Sequence, residues 1–496
     1  MEHDQVIPPE TAATIRTTPV VQASGRMRYA ATDVPDMWRV ALTLLLSIAV
    51  PLYLVASTDE VGRSLGWVVS IPIIIWSGWR VSTAIASGTE SYGPLMFWIF
   101  NYIFLGLAPL VQIRTGLLPT TTTNVLPEFD ERAMLVVLAG LVALELAGKV
   151  ASGRPPRVDR RGRALFRVSA PVVTIFCSIG LLAAWAYIAR VGFSNVTGSR
   201  AIHTAARGLL WPDPAVAEIV YAVAFIPLLV AAHLLLLARL RNDVVSAPST
   251  RRVLLLLVLA TLAVVINPFG SARFIFGAVW LSVLAQMRIA RTAGARRLFS
   301  LAIALGFLFV FPIADKFSRS NASGKTFRAL EVFQGNGDYD AFAQTNNALN
   351  MTAHDGLSYG RQLLGVIFFW VPRSLWSGKP TDTGIEISRF MGYSFTNLSA
   401  PFVSELYVNG GLLLVLLGFG GLGYWMRRPV GHSGPAGSAA TCIVACVLPF
   451  YSPILLRGSL LQATGFAALF ALCLLVLRWA ARPVKDREMS DERSFG

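Results

Sequence analysis

The sequence predicts an all-α polytopic membrane protein with about twelve transmembrane helices and one large extracytoplasmic loop between helices 9 and 10. Three observations predict it. Of the 496 residues, 54% are hydrophobic and only 14% are charged, with a mean hydropathy of +0.58, whereas a soluble chain carries about 25% charge. Apolar runs of roughly twenty residues, the length that crosses a bilayer, recur along the chain. One polar interruption, residues 315–401, is far longer than any other connector.

Residues 1–36 are polar and rich in Thr and Pro, and read as a disordered cytoplasmic tail without the short apolar core of a leader. Residues 37–314 hold helices 1–9, at about Trp38–Val55, Trp67–Ser82, Leu95–Ile113, Ala133–Val150, Ala170–Ile188, Val216–Leu237, Val253–Ile266, Phe274–Met287 and Leu298–Ile313. Residues 402–479 hold helices 10–12, at about Phe402–Trp425, Ala439–Leu455 and Leu460–Val476, and residues 480–496 form a charged cytoplasmic tail. In the fourth span Glu145 and Lys149 are four apart and share a helix face, which suits an ion pair. Gly410, Gly411, Gly418, Gly420, Gly421 and Gly423 in the tenth span allow neighbouring backbones to come close.

The net charge of +15 does not argue for nucleic acid, because the arginines sit in short connectors, where they record orientation. With both termini inside, the inner connectors carry 16 Lys and Arg against 8 in the short outer ones. The arginine-rich connector with Arg154, Arg157, Arg160, Arg161, Arg163 and Arg167 is then cytoplasmic, and the long loop is outside. The four cysteines lie in apolar runs and make neither metal spacing nor a disulfide framework. No phosphate-binding loop, zinc-protease or serine-hydrolase motif is present, and there is no room for a soluble nucleotide domain, so no cofactor is expected.

The chemistry is expected in and around the loop. Its first part carries Asn321, Gln334, Asn336, Asp338, Tyr339, Asp340, Gln344, Asn346 and Asn347. This set suits either a sugar groove or a solvated flap. Leu363–Val371 is too short to span, and reads as an interfacial helix or as the core of the loop. Arg361 and Arg373 flank it, with Tyr359 and Trp376 nearby. Arg273 and Arg457 each stand in a very short outer turn, against the charge rule. A guanidinium there either snorkels to headgroups or serves as a planar fork for phosphate oxygens, with Arg373 and Lys379 joining it from the loop and Arg200 lying in another outer connector. Glu405 opens the tenth span, either as the group that orients an acceptor hydroxyl and takes its proton or as the structural partner of an arginine. His354 is a lone loop histidine.

The pattern Tyr359-Gly360, Val371-Pro372-Arg373-Ser374-Leu375-Trp376, Lys379-Pro380, Gly384 and Glu405-Leu406-Tyr407-Val408-Asn409-Gly410-Gly411 resembles bacterial oligosaccharide repeat-unit polymerases of the O-antigen polymerase type. The turns from Asn267-Pro268 to Arg273 and at Leu456-Arg457-Gly458 resemble theirs too. The resemblance implies a GT-C-like membrane glycosyltransferase that joins polyprenyl-diphosphate-linked oligosaccharides at the outer face of the bacterial cytoplasmic membrane. It implies that Arg273 and Arg457 engage the donor diphosphate, that membrane lipids surround the site, and that a chain-length regulator or a flippase is a protein partner. His354 lacks the setting of the histidine in the related ligases, which leaves the base unassigned. A lipid-linked oligosaccharide transporter or flippase, and an O-antigen-type ligase, are the alternatives.

Overall fold

The computed structural model describes residues 36–89, 91–152, 166–168, 170–241, 248–287, 292–311, 332–396, 398–427, 439–480 and 482–483. The expected tails fall almost wholly outside these residues, as do Asn321 and the connector arginines Arg154, Arg157, Arg160, Arg161 and Arg163. Among the described residues ten helices are long and apolar enough to cross a membrane: Met37–Ala56, Gly66–Ser87, Gly93–Thr115, Pro127–Ser152, Ala170–Val191, Pro214–Leu237, Ala293–Val310, Phe402–Arg427, Ala439–Arg457 and Leu460–Ala480. The chain is therefore a multi-pass membrane protein. The expected seventh and eighth spans are the helices Pro248–Val265 and Arg273–Gln286. The second has 14 residues, about 21 Å at 1.5 Å per residue, which is short of a hydrocarbon core about 30 Å thick. A two-residue antiparallel pairing of Phe166–Arg167 with Arg482–Pro483 is the one ladder among the described residues.

Among the described residues there are two large apolar cores and a small third one of Ala348, Met351, Ile387 and Val408. The first surrounds Gly93–Thr115, whose most apolar window is 94% buried, and includes Phe100, Phe104, Phe342 and Phe419. The second joins Ala170–Val191, Pro214–Leu237 and Pro248–Val265 to the last two helices, through Phe225, Leu228, Leu262 and Ile443. Outside them, Ile175, Ile179 and Leu182 form an exposed apolar stripe at helical spacing. Such a stripe suits lipid contact and not water.

Close packing fixes the helix that follows the loop. A Cβ added at Gly423 would fall 2.0 Å from the Leu144 carbonyl oxygen, so two backbones touch there. Gly418 seats the Leu406 side chain, whereas Gly421 faces open space. The expected glycine-mediated approach is thus concentrated at Gly423. Beside it, Glu145 pairs with Arg427 and with Arg80. Lys149 is exposed and makes no ion pair among the described residues, which corrects the expected Glu145–Lys149 pair. The close approach brings Arg427 to Glu145, while Lys149, one turn further on, stays exposed.

The described part of the loop is not a solvated flap. Its helix Ala341–Asp355 buries Gln344, Thr345, Asn346, Asn347 and Asn350 inside the protein. Asn346 Nδ2 donates to Leu126 O and Asp130 Oδ1, each at 2.8 Å, and Asn347 Nδ2 donates to the Tyr393 hydroxyl at 3.0 Å. Upstream, Gln112 Nε2 donates to Phe333 O at 2.8 Å and Tyr339 O at 2.9 Å, tying the central helix to the loop. Asn346 and Asn347 thus bond backbone and side chains of the protein itself in place of the sugar contacts expected of them, whereas both side-chain polar atoms of the buried Gln344 have no hydrogen-bond partner among the described residues. The expected Leu363–Val371 segment is a helix only over Arg361–Ile367, followed by turns, with Leu364, Ile367, Phe368 and Trp370 exposed.

Candidate functional site

Short connectors gather where the loop sits. Asn267 shapes the first of them. Its Oδ1 accepts from Phe269 N at 3.0 Å and Gly270 N at 2.7 Å, and its Nδ2 donates to Val196 O at 2.9 Å. A Cβ at Gly270 would meet Val196 O at 2.5 Å, so a side chain is excluded there. His203 closes the same turn. Its Nδ1 lies 3.0 Å from Gly270 O and its Nε2 lies 2.6 Å from the Tyr187 hydroxyl. A carbonyl only accepts, so Nδ1 carries the proton and Nε2 accepts from Tyr187. Burial lowers the pKa of His203, which agrees with a neutral ring.

This turn delivers Arg273 as the first residue of the helix Arg273–Gln286. A cation at a helix N-terminus opposes the helix dipole. The opposition is met by Asp338, which pairs with Arg273, while Arg273 Nη1 donates to Phe311 O at 3.1 Å. Arg457, the last residue of Ala439–Arg457, reaches the same place. Its Nε donates to Asp338 O and its Nη2 to Gly337 O and Asp340 Oδ1, all at 3.0 Å, and Nη2 lies 3.8 Å from Asp338 Oδ1. Asp340 Oδ2 accepts from Ser399 N at 3.1 Å. Phe311 lies under the Arg273 guanidinium and Phe274 under that of Arg457, at 4.9 and 5.5 Å from the ring centres.

Arg200 completes a trio of cations. It starts the helix Arg200–Leu210, is exposed, and makes no hydrogen bond or ion pair among the described residues. Partial desolvation first, then Arg273 and Arg457, lower its pKa, while Asp338 and Glu218 oppose the shift, so Arg200 lies within electrostatic reach of the cluster without touching it. Arg273 and Arg457 hold Asp338 and Asp340, and the Asp338 side chain keeps 18% of its surface open.

Glu405 lies apart from the arginines, at 1% exposure. Its Oε2 accepts from the Thr383 hydroxyl at 2.7 Å, and its Oε1 from the Ser459 hydroxyl at 2.9 Å and Leu460 N at 3.0 Å. No arginine pairs with it among the described residues, which corrects that alternative. Four residues on, Asn409 Nδ2 donates to Glu405 O at 2.7 Å, and Asn409 Oδ1 accepts from Ser358 and from Leu363 N, both at 3.2 Å. The helix breaks directly after, at Gly410 and Gly411, the latter with φ 61°. The carbonyls of Val408 and Asn409 are taken by Ser358 N at 2.8 Å and Gly360 N at 3.0 Å.

The remaining expected residues do not join the arginine site. Arg373 donates to Lys379 O at 2.7 Å and Pro380 O at 3.1 Å, and Lys379 Nζ donates to Phe369 O at 2.6 Å and Val371 O at 2.9 Å. Arg361 donates to Gly378 O at 3.3 Å. These cations clasp the carbonyls of their own turn, because residues 368–380 form no regular helix or strand that would satisfy them. Desolvation, then Arg373, lowers the Lys379 pKa. The expected assembly of Arg373 and Lys379 with Arg273 and Arg457 is corrected accordingly. Trp376 is half-buried in that turn, and Tyr359 is 86% exposed in a left-handed conformation, φ 47°. His354 donates from Nδ1 to Asn350 O at 3.0 Å, one turn back on its own helix.

Sequence reasoning missed Asp382, Thr383 and Ser459. Asp382 had a readable signal: it caps the helix Thr383–Phe390, its Oδ1 accepting from Gly384 N at 2.8 Å and Ile385 N at 3.4 Å, and an Asp before an amphipathic stretch is a helix-start pattern. Ser459 carried no signal beyond lying two residues from Arg457. No family model, no curated protein and no solved structure matches the chain.

Proposed function

We propose that the protein is a membrane glycosyltransferase. In this reading it polymerises polyprenyl-diphosphate-linked oligosaccharide repeat units into a cell-surface polysaccharide at the outer face of the bacterial cytoplasmic membrane. The observation that carries it is the meeting of Arg273 and Arg457 on Asp338, with Arg200 within electrostatic reach. Two of these cations open helices, so positive helix ends add to the guanidiniums. A diphosphate is the ligand such a site fits: it spreads several charged oxygens over the reach of more than one planar fork. The apolar flanks of the bundle suit its polyprenyl tail.

The donor diphosphate takes the guanidiniums and frees Asp338 from them. An acceptor hydroxyl then attacks the anomeric carbon of the donor sugar. The bond from that carbon to the diphosphate oxygen breaks, and the electron pair leaves with the lipid diphosphate, whose charge the arginines balance. The hydroxyl proton passes to a carboxylate, and the partly exposed Asp338 suits that role better than the enclosed Glu405.

The break at Gly410 and Gly411 favours a second reading, a lipid-oligosaccharide transporter, since discontinuous helices hold substrates in such proteins. Against it, the carbonyls freed by the break are already taken by Ser358 and Gly360. Purified protein incubated with a lipid-diphosphate oligosaccharide decides between them. A ladder of longer glycans is expected. Transfer to a different lipid or protein acceptor would make the protein a ligase, and flux into liposomes without a new bond would make it a transporter.

A further inference from the structure

We propose that Ser459, Asp382 and Thr383, with Glu405, form a positioning unit that aims Arg457 and holds only while the loop is docked. The inference rests on the reading of Arg457 as a diphosphate ligand. Its evidence is the turn Arg457-Gly458-Ser459-Leu460, which joins two apolar helices with almost no slack. Gly458 N donates to Ile454 O at 2.8 Å, Ala463 N donates to Ser459 O at 3.0 Å, and a Cβ at Gly458 would fall 2.8 Å from Ile454 O. The turn faces two ways. Arg457 reaches Gly337, Asp338 and Asp340, while Ser459 and Leu460 reach Glu405. Whatever moves Ser459 therefore moves the backbone that carries Arg457.

Ser459 is held by two parts of the chain at once. Glu405 belongs to the helix that follows the loop, and Asp382 and Thr383 start a helix within it. The Thr383 hydroxyl closes on Glu405 Oε2, and the Ser459 hydroxyl lies against Asp382 as well as Glu405. A hydroxyl has one proton to give. Ser459 gives it to Glu405, so Asp382 lies beside Ser459 without receiving that proton. Burial raises the Asp382 pKa, and its buried Oδ2 has no hydrogen-bond partner among the described residues. The other charged group near Asp382 is Glu386, engaged by Gln362 and Thr381. A buried carboxylate without a counter-ion is costly unless several donors surround it. Glu405 has three donors when the loop supplies Thr383, and only Ser459 and Leu460 N without it. An undocked loop leaves the carboxylate one donor short, which weakens its hold on the turn that carries Arg457.

The test reads the arginine itself. Detergent-purified protein is treated with phenylglyoxal, and modification of Arg457 and Arg273 is followed by peptide mass spectrometry. Ser459→Ala and Thr383→Val are expected to speed modification of Arg457 about tenfold, the worth of one hydrogen bond to a charged group. Arg273 is expected to keep its rate, and Ser459→Thr to restore the slow rate at Arg457. Unchanged Arg457 reactivity in both variants would overturn the proposal. So would equal acceleration at Arg273, which would mean general loosening. The glycan ladder is measured on the same preparations: its absence in the wild type counts against the glycosyltransferase reading and leaves the reactivity result standing.

Discussion

Arg273 and Arg457 meet on Asp338, one from the start of a helix and the other from the end of a different helix. Each also donates to backbone carbonyls, of Phe311 and of Gly337 and Asp338, so the guanidiniums are oriented as well as charged. Arg273→Ala and Arg457→Ala are each expected to slow polymer formation about a hundredfold, the usual effect of removing one donor from a charge-stabilising site. Lysine at either position keeps the charge and loses the fork, and is expected to recover only part of the rate. Initial rates of ladder formation, with expression checked in the membrane fraction, give the comparison.

The loop cations make the contrasting case. Arg373 and Lys379 hold the carbonyls of Phe369, Val371, Lys379 and Pro380. Arg373→Ala and Lys379→Ala are expected to speed proteolytic cutting within residues 368–380 and to leave donor KM unchanged. A rise in donor KM with no change in cutting would assign them to the substrate instead.

His203 sets a pH dependence of stability. Its folded pKa lies below the unfolded value of about 6.5, so the unfolded chain takes up the proton first as pH falls. The stabilisation is present above about pH 6.5 and is lost as pH drops below it. Protonation of Nε2 also breaks the bond from Tyr187. Melting temperatures at pH 7.5 and 5.5 are expected to differ more in the wild type than in His203→Gln.

Two glycines in one helix give a packing test. Gly423→Ala puts a Cβ into the Leu144 carbonyl, and a backbone shift is needed to relieve it. Gly421→Ala meets nothing within 4 Å among the described residues and improves helix propensity by about 1 kcal/mol. The first is expected to lower the melting temperature in detergent and the second to hold or raise it.

The apolar spans were legible because length and hydropathy alone select them, as Gly93–Thr115 and Ala170–Val191 illustrate. Arg273 and Arg457 are legible because a cation in a tight turn on the expected outer side runs against the charge rule. The burial of the polar helix Ala341–Asp355 is not legible in the sequence because composition reports that a segment is polar, and not whether it is packed inside the protein. Glu145 was paired by sequence spacing with Lys149, yet the Gly423–Leu144 approach supplied Arg427 from far along the chain. Ser459 was invisible because a hydroxyl gains its meaning only from Glu405 and Asp382 beside it.

The amide-lined interior of Ala341–Asp355 has a consequence for biogenesis. A segment that buries Gln344, Asn346, Asn347 and Asn350 has no tendency to partition into hydrocarbon by itself. Its partners, Leu126, Asp130 and Tyr393, come from both sides of it in the sequence. Insertion of the preceding helices must therefore come first, and seating of this polar wedge is a late maturation step that follows delivery of the remaining chain.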